Sequence, residues 1–175
     1  MSSAKDIALL PDAGPLITLA YADALDVVLF NPGWTVMLVD MVRHEVTRNQ
    51  TPTSSQLAAW AASAQIPVLP TKTFEHFRQT ATESPPLRSR NLGELAIQET
   101  MNQFALNVPP KTGIFLFEDH KIARVSFLVP DNCRKVSTRA FLIFLEQKGL
   151  IDSATDIERR AVQAGRAFST LRFPP

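Results

Sequence analysis

Four acidic residues stand where acids can do chemistry. Asp12 closes the apolar run Ile7-Ala8-Leu9-Leu10-Pro11, and Asp119 follows the run from Gly113 to Phe117 and its neighbour Glu118. An apolar run of this length that halts at a carboxylate reads as a buried strand with acid at its C-terminal tip. Ligand and metal sites of open α/β sheets lie outside that edge. Glu45, in Val42-Arg43-His44-Glu45-Val46, and Glu94, in Asn91-Leu92-Gly93-Glu94-Leu95-Ala96-Ile97, fall near the starts of predicted helices. A parallel sheet brings all four acids to one edge. Two full charges about 5 Å apart repel by roughly 3 kcal/mol at an effective dielectric of 20. A cluster of four must therefore take up protons, pair with cations or bind metal. Oxygen donors without a Cys/His set suit Mg²⁺ or Mn²⁺, and such an ion beside a phosphate serves phosphodiester cleavage. Taken singly, each acid has a simpler role. Asp12 and Asp119 fit N-caps, Asn91 with Glu94 fits a capping box, and Glu45 fits a surface helix acid.

The elements that must position these acids alternate along the chain. Strands are expected at 7–11, 34–39, 66–69, 113–117 and 135–136. Helices are expected after Asp12 (opened by Pro15), over 22–30, after Asp40, and over 56–65, 73–80, 92–106, 119–127, 139–148 and 155–168. Asp40 and the Thr53-Ser54-Ser55 cluster read as N-terminal caps, Gly149 as a helix stop, and Thr155 with Glu158 as a capping box. The segment 83–90 is a loop. Strand–helix alternation gives a mostly parallel sheet of about five strands with helices on both faces. No linker divides the chain, so 1–175 reads as one domain with 151–175 a C-terminal helical extension.

Composition bounds the function. At 175 residues the chain can bury a full core, and 45% hydrophobic with 20% charged residues is ordinary for a globular protein. The N-terminus runs straight into a strand without a signal-peptide pattern, so a cytoplasmic protein is expected. The single Cys133 offers neither a disulfide nor a metal cluster and reads as an inert, partly buried thiol. Net charge is only +1, so bulk charge announces no nucleic-acid binder. Locally, Lys111, Lys121, Arg124, Arg134, Lys135 and Arg139 outnumber the acids around them, and Arg88 and Arg90 precede Glu94. Either a solvated basic face or an RNA contact fits that pattern. His44, His76 and His120 lack metal-ligand spacing; His120 is the best placed to reach water at the site.

In order along the chain, Asp12-Ala13-Gly14-Pro15-Leu16-Ile17, Val42 to Val46, Gly93-Glu94-Leu95-Ala96-Ile97 and Asp119-His120-Lys121-Ile122-Ala123-Arg124 match a set of motifs. Thr138 to Leu150 matches a closing helix. In these features the chain resembles the PIN-domain nucleases, the family that includes toxin ribonucleases of bacterial toxin–antitoxin pairs. The resemblance spans about 12–150. It implies a Rossmann-like three-layer sandwich and a metal-dependent endoribonuclease acting on RNA; a metal-bound hydroxide attacking in line would leave 5′-phosphate and 3′-hydroxyl ends. It makes Asp12, Glu45, Glu94 and Asp119 catalytic, with Mg²⁺ or Mn²⁺ on Asp12, Glu94 and Asp119. Arg88, Arg90, Lys121 and Arg124 are RNA-binding candidates, and His120 and Thr138 lie at the site edge. RNA is the expected substrate; a cognate antitoxin and a second copy of the chain are further candidate partners. The chain departs from the pattern at His120, where an acid is frequent, and at Pro11. The alternative is a non-catalytic PIN-like module that binds RNA or protein. A domain for a small phosphorylated ligand is disfavoured, because the lone Gly14 is far from a Gly-rich phosphate loop.

Overall fold

The computed structural model describes residues 7–48, 52–83, 91–118 and 129–167. The fold is α/β. A central sheet holds β1 (Ile7–Pro11), β2 (Thr35–Val36), β5 (Thr112–Phe117) and β6 (Cys133–Ser137), in the order β2-β1-β5-β6, with every pairing parallel. The pair β3 (Leu38–Val39) and β4 (Val68–Leu69) forms a separate two-stranded parallel ladder. The expected strand at 34–39 is therefore split. Met37 N–H still donates to the Leu9 carbonyl, 3.0 Å away, whereas Leu38 N–H donates to Pro67 at 2.9 Å. One chain segment thus changes partners at Met37 and joins the two ladders edge to edge. Among the described residues, the expected sheet of about five strands is four plus this pair.

The strands are apolar because they lie inside. Ala8, Leu9, Leu10, Phe115, Leu116 and Phe117 are wholly buried, as the near-continuous apolar runs of parallel strands require. Among the described residues the helices are α1 (Ala13–Tyr21), α2 (Asp40–Thr47), α3 (Pro52–Ser63), α4 (Lys72–Glu83), α5 (Leu92–Leu106), α6 (Thr138–Gln147) and α7 (Ala154–Gln163). In α5 the buried set Gly93, Ala96, Ile97, Thr100, Met101 and Phe104 steps at three and four residues, one stripe facing the core. Residues 22–30 do not form the expected α-helix. Only Leu25–Leu29 is helical, and as a 3₁₀ turn, a form suited to short pieces.

The C-terminus of α6 ends as expected. Gly149 adopts φ 68°, its N–H donates to the Glu146 carbonyl, and Leu150 N–H donates to Leu145, each at 2.9 Å. That double bond is a Schellman stop, and its left-handed residue favours glycine. Ser153, rather than Thr155 with Glu158, caps α7, accepting from Asp156 N–H at 3.2 Å. Helix α7 packs against α1 and α6 and buries Ala154, Ile157 and Ala161. It contributes to the core. Among the described residues, no helix is long and apolar enough to cross a membrane.

Candidate active site

Register sets the geometry. Pro11 pairs with Leu116 and Phe117 with Ser137, so β1, β5 and β6 end level with one another. Asp12 N–H donates to the Leu116 carbonyl at 2.8 Å, which extends the ladder by one residue and fixes Asp12 beside the tip of β5. Its side chain is wholly buried. It occupies the N-cap position of α1 with φ −74° and ψ 171°, yet makes no capping bond. The capping role is therefore absent, and a buried carboxylate remains at the sheet edge.

A second pair of acids meets at the start of α5. Because a helix returning between parallel strands starts at their C-terminal edge, Glu94 in the first turn of α5 lies at that edge. Gly93 makes room there: a Cβ at this position would stand 2.9 Å from Glu45 Oε2 and 3.3 Å from Oε1. The Glu45 carboxylate, carried by α2, thus lies against the backbone next to Glu94. Both acids are half-buried. Asn91 does not make the expected capping box. It has φ 70° and its side chain makes no cap bond.

The end of β5 carries a contact not foreseen from the sequence. Glu118 is 4% exposed. The Thr18 hydroxyl of α1 donates to its Oε1 at 2.6 Å. Arg166, just beyond α7, places Nη2 3.9 Å from the same oxygen and donates from Nε to Thr18 Oγ1 at 3.0 Å. A Cβ on Gly14 would come within 2.6 Å of Glu118 Cγ. The doubled acid Glu118-Asp119 was visible in the sequence, but Arg166 fell inside the helix expected over 155–168, and nothing in their spacing links the two.

Other polar candidates make local contacts. Ser137 caps α6 through Ala140 N–H at 3.0 Å, while the buried Thr138 hydroxyl donates to the Phe117 carbonyl at 3.1 Å. Thr138 therefore fastens β5 to β6. Asp40 does not cap from outside its helix. It is the first residue of α2 and accepts from Met41 N–H, Thr71 N–H and Thr71 Oγ1, each at 2.7 Å, tying α2 to the start of α4. His44 faces α4, with Phe74 and Phe77 rings 5.3 Å away. Burial, then the Arg48 charge, holds its pKa below the usual histidine value. The basic residues around β6 are partly spent locally. Arg139 pairs with Glu158 at 3.2 Å, and Arg134 donates to the Asp131 and Cys133 carbonyls. Arg159 and Arg160 both pair with Asp156. Cys133 is wholly buried, and burial pushes its thiol up. Arg88, Arg90, Asp119, His120, Lys121 and Arg124, with the helix expected at 119–127 and all of the loop expected at 83–90 but Glu83, which ends α4, lie outside the described residues.

Carboxylate oxygens are the right donors for Mg²⁺ or Mn²⁺, and the space that Gly93 leaves for Glu45 is a cradle a side chain would fill. Among the described residues, however, no three of His, Cys, Asp and Glu gather into a group able to hold a metal. Compared with protein-family profiles, with curated proteins and with solved structures, the chain matches none.

Proposed function

We propose that the protein is a PIN-like, Rossmann-type nuclease: a metal-dependent endoribonuclease that hydrolyses RNA phosphodiester bonds. One observation carries most weight. A wholly buried aspartate at the tip of β1 makes no cap and stands beside the strand that runs into Glu118-Asp119. A carboxylate buried at the carboxyl edge of a parallel sheet stands where open α/β sheets bind their ligands. Support also comes from Glu45, whose carboxylate reaches the first turn of α5 beside Glu94.

In this reading Asp12, Glu94 and Asp119 hold Mg²⁺ or Mn²⁺, and Glu45 completes the cluster. When bound, the ion supplies a nucleophile from water at neutral pH and offsets charge on the phosphate. The chain's own part is positional. The ladder bond from Asp12 N–H fixes that acid against β5, and Gly93 admits the Glu45 carboxylate. The α5 N-terminus adds a partial positive charge toward phosphate oxygens. Arg88, Arg90, Lys121 and Arg124 are the proposed contacts to the RNA backbone.

The test is incubation with an RNA pool in Mg²⁺ or Mn²⁺ and in EDTA, with the product ends mapped. Cleavage that needs the ion and leaves 5′-phosphates supports the reading. Tight RNA binding without any cleavage would make the protein a non-catalytic module of the same shape.

A further inference from the structure

The C-terminal end of the described chain reaches the sheet edge that carries the acids. Arg166 follows α7 and is held there by its own backbone, its N–H donating to the Ala161 carbonyl at 3.0 Å. Its guanidinium spans two partners, Thr18 of α1 and Glu118 at the end of β5. Glu118 is nearly sealed, at 6% side-chain exposure, and Arg166 is 24% exposed. Gly14 closes the other side of Glu118, since no Cβ fits against its Cγ. Three elements distant in sequence thus meet on one carboxylate: the first turns of α1, the end of β5 and the segment after α7. Such a contact stabilises weakly on balance, because both charges lose water. Its geometric consequence is larger. Glu118 joins β5 to Asp119, and Thr18 lies further along the helix that Asp12 begins.

Resting on the nuclease reading above, we infer that Arg166 is a positioning residue for the active site. It holds Glu118 against Thr18, and so fixes the end of β5 relative to α1, the helix that Asp12 begins. Glu118 itself is engaged by this contact and is distinct from the proposed metal donors. The segment after α7 is therefore part of the site's frame.

The experiment uses the full chain with Arg166→Met, Arg166→Lys, Glu118→Gln and the Arg166→Met/Glu118→Gln pair. Metal-free thermal melting reads the contact. Arg166→Met should lower Tm by about 5 °C, the scale for a buried carboxylate losing its cation in a domain this size. The pair should melt well above the sum of the two single losses, because the neutral amide left by Glu118→Gln needs no cation. Strictly additive losses would overturn the contact. RNA cleavage and the Mn²⁺-induced rise in Tm read positioning. Arg166→Met should cut kcat about tenfold at unchanged KM, as expected of an interaction that orients reacting groups, and shrink the Mn²⁺ rise. Arg166→Lys should restore part of both. Coupled melts with wild-type kcat and wild-type Mn²⁺ rise would overturn positioning and leave Arg166 a structural tie. A wild type that neither cleaves RNA nor responds to Mn²⁺ would sink the nuclease reading instead, a failure the metal-free melts tell apart from loss of the contact.

Discussion

Gly14 and Gly93 each face a carboxyl-bearing side chain, yet alanine should act differently at the two. At Gly14 the new Cβ would meet Glu118 Cγ at 2.6 Å, and Glu118 cannot swing aside because Thr18 and Arg166 hold its head. Gly14→Ala should therefore destabilise by about 1–3 kcal/mol, the usual cost of overpacking, measured by urea unfolding. At Gly93 the neighbour is the far end of the Glu45 side chain, 2.9 Å away, which can yield. Removing a helical glycine returns up to about 1 kcal/mol, so Gly93→Ala should keep its stability within about 1 kcal/mol of wild type. Its RNA cleavage should fall about 10–100-fold, since the displaced carboxylate loses its place. Equal stability losses at both sites, with cleavage unaffected at Gly93, would separate Glu45 from the site. The positions of Asp12 at the tip of β1 and of Glu94 in the first turn of α5 were legible in the sequence. The carboxylate contacts of these glycines were not, because a glycine's role depends on what crosses over it from elsewhere in the chain.

At the scale of elements, helix starts are secured by acids borrowed from other helices. Glu99, on α5, accepts from Lys72 N–H at 2.8 Å and from Thr73 N–H and Oγ1 at 3.1 and 3.0 Å. It satisfies amides that the first turn of α4 leaves open. Partial burial pushes this carboxyl up. The two backbone bonds, the Thr73 hydroxyl and the Lys72 charge outweigh that, so its pKa lies below the ordinary 4.5. A lowered carboxylate pKa means the unfolded chain binds the proton more readily. The stabilisation is then complete above pH 4.5 and is lost as pH falls from there through the lowered folded value. The Tm advantage of wild type over Glu99→Gln should be full at about pH 6 and shrink below about pH 4.5. An advantage independent of pH would mean that the Glu99 charge plays no part. Local pattern foretold α5 to the residue, through its apolar stripe, and β1 likewise. It overextended the helix at 22–30, where tertiary packing leaves a 3₁₀ turn. It also joined β2 to β3, because the change of partner at Met37 is set by the neighbouring strands and not by the segment itself.

For the whole molecule, the last helix is the main departure from a reading by motifs. Residues 151–175 matched no motif, and they read as an extension because the motif order ended near 150. The physical pattern was present all the same: Ala154, Ile157 and Ala161 repeat at three and four residues and are buried against α1 and α6. Burying one Ile side chain alone is worth about 1.5–3 kcal/mol. Removal of 151–175 should therefore leave a chain that no longer melts cooperatively, as read by circular dichroism. A truncated chain with near-wild-type Tm would return α7 to the status of an appendage.

The central claim is that Asp12 belongs to a metal-dependent site and not to a helix cap. Asn caps about as well as Asp, so Asp12→Asn separates the two. The most direct measurement follows RNA cleavage together with thermal melting, with and without Mn²⁺, for wild type and Asp12→Asn. The account predicts that the variant folds and melts without Mn²⁺ at or above the wild-type Tm. It should lose cleavage by at least about 100-fold, the scale of a removed electrostatic group in catalysis, and most of its Mn²⁺-induced rise in Tm. A variant that cleaves RNA and gains stability with Mn²⁺ as wild type does would contradict the assignment of Asp12 and, with it, the proposed site.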